Sequence, residues 1–118
     1  MTGAQGLGRY GEKVAAAHLE AAGMRILSRN WRCRHGEIDI VAQDGGCLVV
    51  CEVKTRRSST YGGPVEAVTA TKLARLRTLT LAWLADHEGS WTAVRIDVVA
   101  VTRGLRGAAS VEHLRAVG

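Results

Sequence analysis

The sequence has no phenylalanine and only two tyrosines among its 118 residues. Proteins that bind single strands of nucleic acid without sequence preference present several aromatic rings on which successive bases stack. We therefore do not expect a base-stacking platform in this chain. The hydrophobic content of 47% is nevertheless ordinary for a globular protein and excludes a disordered one.

Long apolar segments are also missing. No run approaches the roughly 18 apolar residues of a membrane span, and the N-terminus lacks the apolar core of a secretory signal. We therefore expect a cytoplasmic protein that does not associate with a membrane. The length predicts a single domain over residues 1–118 with one modest core, and the sequence shows no internal repeat.

Cysteine is scarce, and its odd number cannot complete a disulfide framework. Zinc binding by Cys33, Cys47 and Cys51 together with His35 is the alternative that we considered. Cys47 and Cys51 lie four residues apart in a predicted strand, which separates them by about 13 Å. We therefore favour reduced thiols that pack as small apolar side chains.

Acidic residues are outnumbered, so the net charge is +5 and the isoelectric point about 9.6. Such a surplus favours a polyanionic partner, although a solvated surface would explain it as well. The candidates for contacts with a nucleic-acid backbone are basic residues in three segments: Arg29, Arg32 and Arg34; Arg56 and Arg57; and Lys72. We place Arg56 and Arg57 in a basic loop predicted over residues 55–64.

The most informative stretch runs from Gly36 to Lys54. Two apolar runs flank Asp44, Gly45 and Gly46, a pattern typical of a β-hairpin because glycine accepts the positive φ of a tight turn. Beyond the turn, the second run is apolar on both faces as far as Val50. This pattern indicates a central strand that is covered on both sides.

Counting outward from a two-glycine turn puts Asp39 opposite Glu52 and Glu37 opposite Lys54. Side chains directly opposite in an antiparallel pair point to the same face, with Cβ atoms roughly 4.5–5.5 Å apart. The pattern thus predicts acids facing each other inside otherwise apolar strands. Like charges in this arrangement repel, and a buried carboxylate needs a partner.

Two interpretations of these acids stay open at the level of the residues. A divalent cation between Asp39 and Glu52 would remove the repulsion, and oxygen ligands suit Mg²⁺ or Mn²⁺. Lys54 would then hold a phosphate oxygen or stabilise charge near an attacking water. Alternatively, Lys54 and Arg56 pair with the acids in a salt-bridge cluster at the end of the strand.

The remaining patterns predict the other elements of an α/β protein with a mixed sheet of about four to five strands flanked by helices. The predicted helices cover about residues 6–22 and 70–86, and the predicted strands cover about residues 24–31, 36–44, 47–55, 92–101 and 110–117. Glu12 falls at the edge of the first helix's apolar stripe, where it either faces solvent or joins the acids. Asp97 is placed near Arg95 or at the sheet edge, without a catalytic role.

Several short motifs are spread along the chain. They are Gly8-x-x-Gly11-Glu12, Arg29-Asn30, Gly36-Glu37-Ile38-Asp39, Glu52-Val53-Lys54-Thr55-Arg56, Gly63-Pro64-x-Glu66-Ala67-Val68, Lys72 and Arg95-Ile96-Asp97-Val98-Val99. In this combination they resemble the PD-(D/E)XK nucleases, which have the restriction-endonuclease-like fold. More narrowly, nearly the whole chain resembles the small bacterial YraN family, also called UPF0102. The chain is also similar to archaeal Holliday-junction resolvases.

The resemblance implies that Asp39 and Glu52 ligate Mg²⁺ or Mn²⁺, with Glu12 completing the cluster directly or through water. Lys54 would position the attacking water and steady the phosphate. We therefore expect a metal-dependent endonuclease acting on DNA, with branched or damaged DNA as the candidate substrate, and a homodimer as in the resolvases. The alternatives are a nucleic-acid-binding module that keeps the fold without cleaving, and an inert structural domain.

Overall fold

A computed structural model describes residues 3–57, 68–104 and 107–118 of the chain, with side chains from Gly6 onward. Its helices and strands are, in chain order, α1 (Gly3–Ala21), β1 (Arg25–Cys33), β2 (Gly36–Asp44), β3 (Cys47–Arg57), α2 (Ala70–Asp86), β4 (Ala93–Arg103) and β5 (Ser110–Leu114). The strands form one five-stranded sheet in the order β1-β2-β3-β4-β5. Among the strands that the structure describes, only β3 and β4 pair in parallel, so the predicted mixed sheet is confirmed.

The sheet lies between the two helices. On one face, Leu19 of α1 packs with Val49 of β3 and Val99 of β4. On the other face, Leu79 of α2 packs with Val50 of β3. Because alternate residues of β3 enter opposite clusters and are fully buried, β3 is the central strand that its two-sided apolar pattern predicts. No helix in the described ranges is long and apolar enough to span a membrane.

The ends of the helices follow from local chemistry. The Thr69 side chain accepts the backbone N–H of Lys72 at 3.1 Å, so α2 begins at the predicted residue. The helix also ends at Asp86, as predicted. Gly23, with φ +92°, ends α1. The Gly23 N–H donates to the Glu20 carbonyl and the Met24 N–H to the Leu19 carbonyl, each at 3.0 Å, as in a Schellman motif. The prediction that residues 1–5 are a loose end was wrong from Gly3 onward, where α1 begins.

The hairpin of β2 and β3 has the predicted register. Asp44 pairs with Cys47, and the ladder continues from there to the pair of Ile40 with Cys51. Gly45 has φ +59°, whereas Gly46 is not among the residues with positive φ, which fits a type II′ turn. Asp39 and Glu52 lie one residue beyond the last pair of this ladder, Ile40 with Cys51. The two glycines of the turn and the two-residue period of β-strands were therefore sufficient to predict this placement.

Strand β3 is longer than the sequence predicted. The strand was predicted to end at Thr55, and Arg56 and Arg57 were predicted in a basic loop, but β3 pairs with β4 as far as Arg57 with Arg103. The parallel ladder with β4 continues past the point at which the composition of β3 becomes polar. Arg56 and Arg57 are therefore strand residues, and the rest of the predicted loop, residues 58–64, lies outside the described residues.

Asp97 is fully buried in β4, so its predicted placement at the sheet edge was wrong. Strand β5 covers β4, and the Asp97 carboxylate accepts hydrogen bonds from Arg95 Nε at 3.0 Å, His113 Nε2 at 2.7 Å and the Ala116 N–H at 3.0 Å. The predicted contact with Arg95 is present. A buried carboxylate needs such donors, and these tie the C-terminal segment to the sheet.

Candidate metal centre

All four residues predicted as catalytic line one open cavity of about 470 Å³. Helix α1 contributes Glu12, strand β2 contributes Asp39, and strand β3 contributes Glu52 and Lys54. Helix α2 adds Lys72 and Arg75 to the lining. The cavity is therefore lined by residues from four elements. The motifs predicted that Glu12, Asp39, Glu52 and Lys54 lie together, and this prediction agrees with the lining of the cavity.

Asp39 occupies the point where the ladder between β2 and β3 stops. Its Oδ2 accepts the backbone N–H of Val53 at 2.8 Å. The pKa of Asp39 is raised to about 7, chiefly by burial and in part by the nearby negative charges of Glu52 and Glu12, while the Val53 hydrogen bond opposes the rise. The carboxyls of Asp39 and Glu52 are also within hydrogen-bonding reach of each other.

Glu52 is largely enclosed, since its side chain is only 12% exposed. Its buried Oε2 atom accepts no well-aligned hydrogen bond within the part of the chain that the structure describes. The Lys72 ammonium nitrogen nevertheless lies 3.0 Å from that oxygen. We interpret this pair as an ionic contact, because the distance is short but the hydrogen-bond geometry is poor.

The alternative prediction, a salt-bridge cluster around the acids, is thus correct in part. Glu52 does have a lysine partner, but it is Lys72 and not the predicted Lys54. Lys54 is exposed and makes no ion pair among the described residues, whereas Lys72 reaches Glu52 from α2. Lys72 was predicted only as a nucleic-acid contact, but its side chain is 29% exposed and lies against Glu52. The presence of Lys72 among the motifs that resemble the nuclease superfamily was the one sequence signal for its place in the site.

Glu12 is held by a polar bridge to the β1 strand. Asn30 Nδ2 donates to Glu12 Oε1 at 2.9 Å and to Glu37 Oε1 at 3.1 Å. Glu37 also lies 3.7 Å from Arg32, its partner in the β1–β2 ladder, while the β2–β3 ladder ends before the predicted position of Glu37 opposite Lys54. Glu12 is thus turned toward Asn30 while its charge still acts on Asp39.

Gly11 allows α1 to approach the cavity. A Cβ atom at this position would overlap the Thr55 side chain of β3, and Gly11 itself is buried. By contrast, a Cβ at Gly8, one turn earlier, meets nothing within 4 Å. The close approach at Gly11 places the next residue, Glu12, at the cavity wall.

The residues fit a divalent cation of the Mg²⁺ type. Asp39 and Glu52 supply carboxylate oxygens at an open cavity, and such oxygens are the ligands that Mg²⁺ prefers. No group of three or more His, Cys, Asp and Glu side chains in the described ranges is arranged to hold one ion. Asp39 and Glu52 are therefore the candidate ligands, and the contact of Glu12 through water stays a prediction.

The other predicted nucleic-acid contacts are divided between two places. Arg29 and Arg32 are exposed on the edge strand β1, and Arg34 is exposed in the turn that follows it. Arg56 and Arg57 continue β3 beyond Lys54. Arg75, which lines the cavity, was absent from the predicted set.

The fold and the cavity define an α/β protein with a carboxylate site on the central strand of a mixed sheet. The model of a family described as "Uncharacterised protein family UPF0102" matches residues 11–101. A UPF0102 protein of Kineococcus radiotolerans is 62% identical over 112 residues, covering 94% of this chain and 92% of the relative. A UPF0102 protein of Beutenbergia cavernae is 59% identical over 112 residues, covering 95% of each chain. The chain belongs to the UPF0102 family, as its motifs indicated.

Proposed function

We propose that the protein is a Mg²⁺- or Mn²⁺-dependent endonuclease that hydrolyses phosphodiester bonds in DNA. The observation that carries this proposal is the meeting of two carboxylates, Asp39 and Glu52, with Lys54 in one open cavity. The order of these residues on two hairpin strands also resembles that of PD-(D/E)XK nucleases. Branched or damaged DNA is the proposed substrate, and the proposed setting is a homodimer in the cytoplasm.

Each residue has a role that follows from its position. Asp39 and Glu52 would hold the ion, which when bound supplies Lewis-acid stabilisation and a more acidic water. Lys54 is exposed and without an ion pair among the described residues, so its ammonium is available for a phosphate oxygen. Glu12, which Asn30 holds at the cavity wall, would supply a further hydrogen-bond acceptor for a water molecule beside the ion.

The proposed DNA contacts follow from the distribution of basic residues. Arg29 and Arg32 lie on β1, the strand from which Asn30 reaches Glu12. Contacts from Arg29, Arg32 and Arg34, with Arg56, Arg57 and Lys72, would neutralise backbone phosphates and make binding depend on salt.

A non-cleaving nucleic-acid-binding module is the second candidate. The ion pair between Lys72 and Glu52 favours it, because one of the two acids already has a cation. Against it stand the clustered acids, which repel a polyanion unless a metal ion neutralises them.

Cleavage of a panel of DNA substrates tests the proposal. Purified protein with Mg²⁺ or Mn²⁺ is incubated with duplex, single-stranded, flapped and four-way DNA. We expect cleavage by the natural protein, loss of at least about 100-fold in Glu52→Gln and Lys54→Ala, and retained salt-sensitive binding in both. Glu20→Gln, which changes an exposed acid of α1, is the matched control. If no substrate is cut but binding persists, the binding module is the better account.

A further inference from the structure

The lysines of this chain differ in their surroundings. Lys54 and Lys72 both line the cavity, and the third lysine, Lys13, is exposed on α1. Of the two in the cavity, Lys72 lies 3.0 Å from Glu52 Oε2, whereas Lys54 makes no ion pair in the described ranges. The cation that neutralises Glu52 thus comes from α2 and not from the E-x-K motif.

Lys72 occupies a position that the helix itself disfavours. It is the third residue of α2, whose first turn contains no acidic residue. The positive end of the helix dipole opposes an ammonium there, and partial burial removes part of its hydration. Because both effects are unfavourable, the contact with Glu52 must compensate for them. The carboxylate, rather than the helix, determines where the ammonium lies.

The charges around the cavity suit one divalent ion. Asp39, Glu52 and Glu12 bring three negative charges close together, and Lys72 brings one positive charge. One Mg²⁺ or Mn²⁺ would make this group neutral, leaving aside the exposed Lys54 and Arg75. A second ion would make it strongly positive and would stand next to the ammonium, where repulsion is large at short range.

We infer that Lys72 is a built-in cation at the place where a second divalent ion would bind Glu52, so that the site takes one ion per chain. The inference rests on the metal-binding part of the proposed function. It makes Lys72 a positioning residue that acts through Glu52. In the absence of the Lys72 ammonium, the buried Oε2 atom would be open to a second ion.

Titration with Mn²⁺ counts the ions directly, because the electron paramagnetic resonance signal of free Mn²⁺ is lost on binding. The full chain should bind one Mn²⁺, and Lys72→Gln should bind two, the first at least about tenfold more tightly than in the natural protein. Lys72→Arg keeps the cation and should bind one. Lys13→Gln, which removes an exposed lysine, should behave as the natural protein does. Circular dichroism establishes that each variant is folded, and Lys72→Met replaces Lys72→Gln if the latter is not.

The outcomes separate this inference from the proposed function. Two ions on the natural chain, or only one on folded Lys72→Gln and Lys72→Met, would overturn the inference. Binding of no ion to the natural chain would overturn it together with the metal-binding part of the proposed function. One ion on the natural chain and two on Lys72→Gln would uphold it even if no DNA were cleaved.

Discussion

Replacing Asp39 by asparagine should stabilise the metal-free protein at high pH. The folded protein raises the pKa of this carboxyl from 3.8 to about 7, chiefly through burial. At about 1.4 kcal/mol per pKa unit, ionised Asp39 costs the folded state up to about 4 kcal/mol. The amide of Asp39→Asn carries no charge, can still accept the Val53 N–H through its oxygen, and can donate to Glu52.

The pH dependence has a definite sign. Because the folded state holds the Asp39 proton more tightly than the unfolded chain, the contribution of Asp39 to stability is full below about pH 4. This contribution falls as the pH rises through the folded pKa of about 7. The variant lacks this loss, so its advantage over the natural protein should grow between those pH values to roughly 2–4 kcal/mol at pH 8.

Urea denaturation followed by tryptophan fluorescence measures this difference, with EDTA present throughout. The free energies of unfolding of the natural protein and Asp39→Asn are compared from pH 4 to pH 8. Glu112→Gln, an exposed acid on β5, serves as the control and should show no such trend. A variant that is less stable at pH 8, or a difference that does not change with pH, would refute the reasoning about Asp39.

Two further predictions concern the framework of the site. Gly11→Ala should lower the free energy of unfolding by about 1–3 kcal/mol because its Cβ overlaps Thr55, whereas Gly8→Ala should be neutral or stabilising by up to about 1 kcal/mol. Equal effects of the two glycine variants in urea denaturation would contradict the close approach at Gly11. Asp97→Asn should cost about 3–5 kcal/mol, since it removes the buried negative charge beside Arg95 and His113 and leaves an amide group among hydrogen-bond donors. A cost below about 1 kcal/mol in the same assay would show that this network contributes little.

The hairpin could be predicted from the sequence because its geometry is local. Two adjacent glycines allow a tight turn, and the period of two in β-strands carries the register outward to Asp39 and Glu52. The start of α2 was predictable for the same reason, since Thr69 lies three residues from the N–H that it accepts. Motifs then associated Glu12 with these acids, although α1 is distant along the chain.

The contacts that the sequence missed depend on how whole elements pack. Lys72 meets Glu52 because α2 packs beside the same cavity as β3, and helical periodicity does not fix the rotation of the helix about its axis. Asp97 was misplaced because its partners His113 and Ala116 follow 16 and 19 residues later, in a segment with weak patterning. The polar composition after Glu52 likewise concealed the parallel ladder that continues to Arg57.

The most direct test of the central claim is whether Mn²⁺ stabilises the protein through Asp39. The free energy of unfolding is measured at pH 8, where Asp39 is ionised, with Mn²⁺ and then with EDTA. At a Mn²⁺ concentration 100 times its dissociation constant, the natural protein should gain about 2.7 kcal/mol. Asp39→Asn should gain almost nothing at the same concentration, although its metal-free form is the more stable. An equal gain in the two proteins, or no gain in the natural one, would contradict a metal site at Asp39 and Glu52.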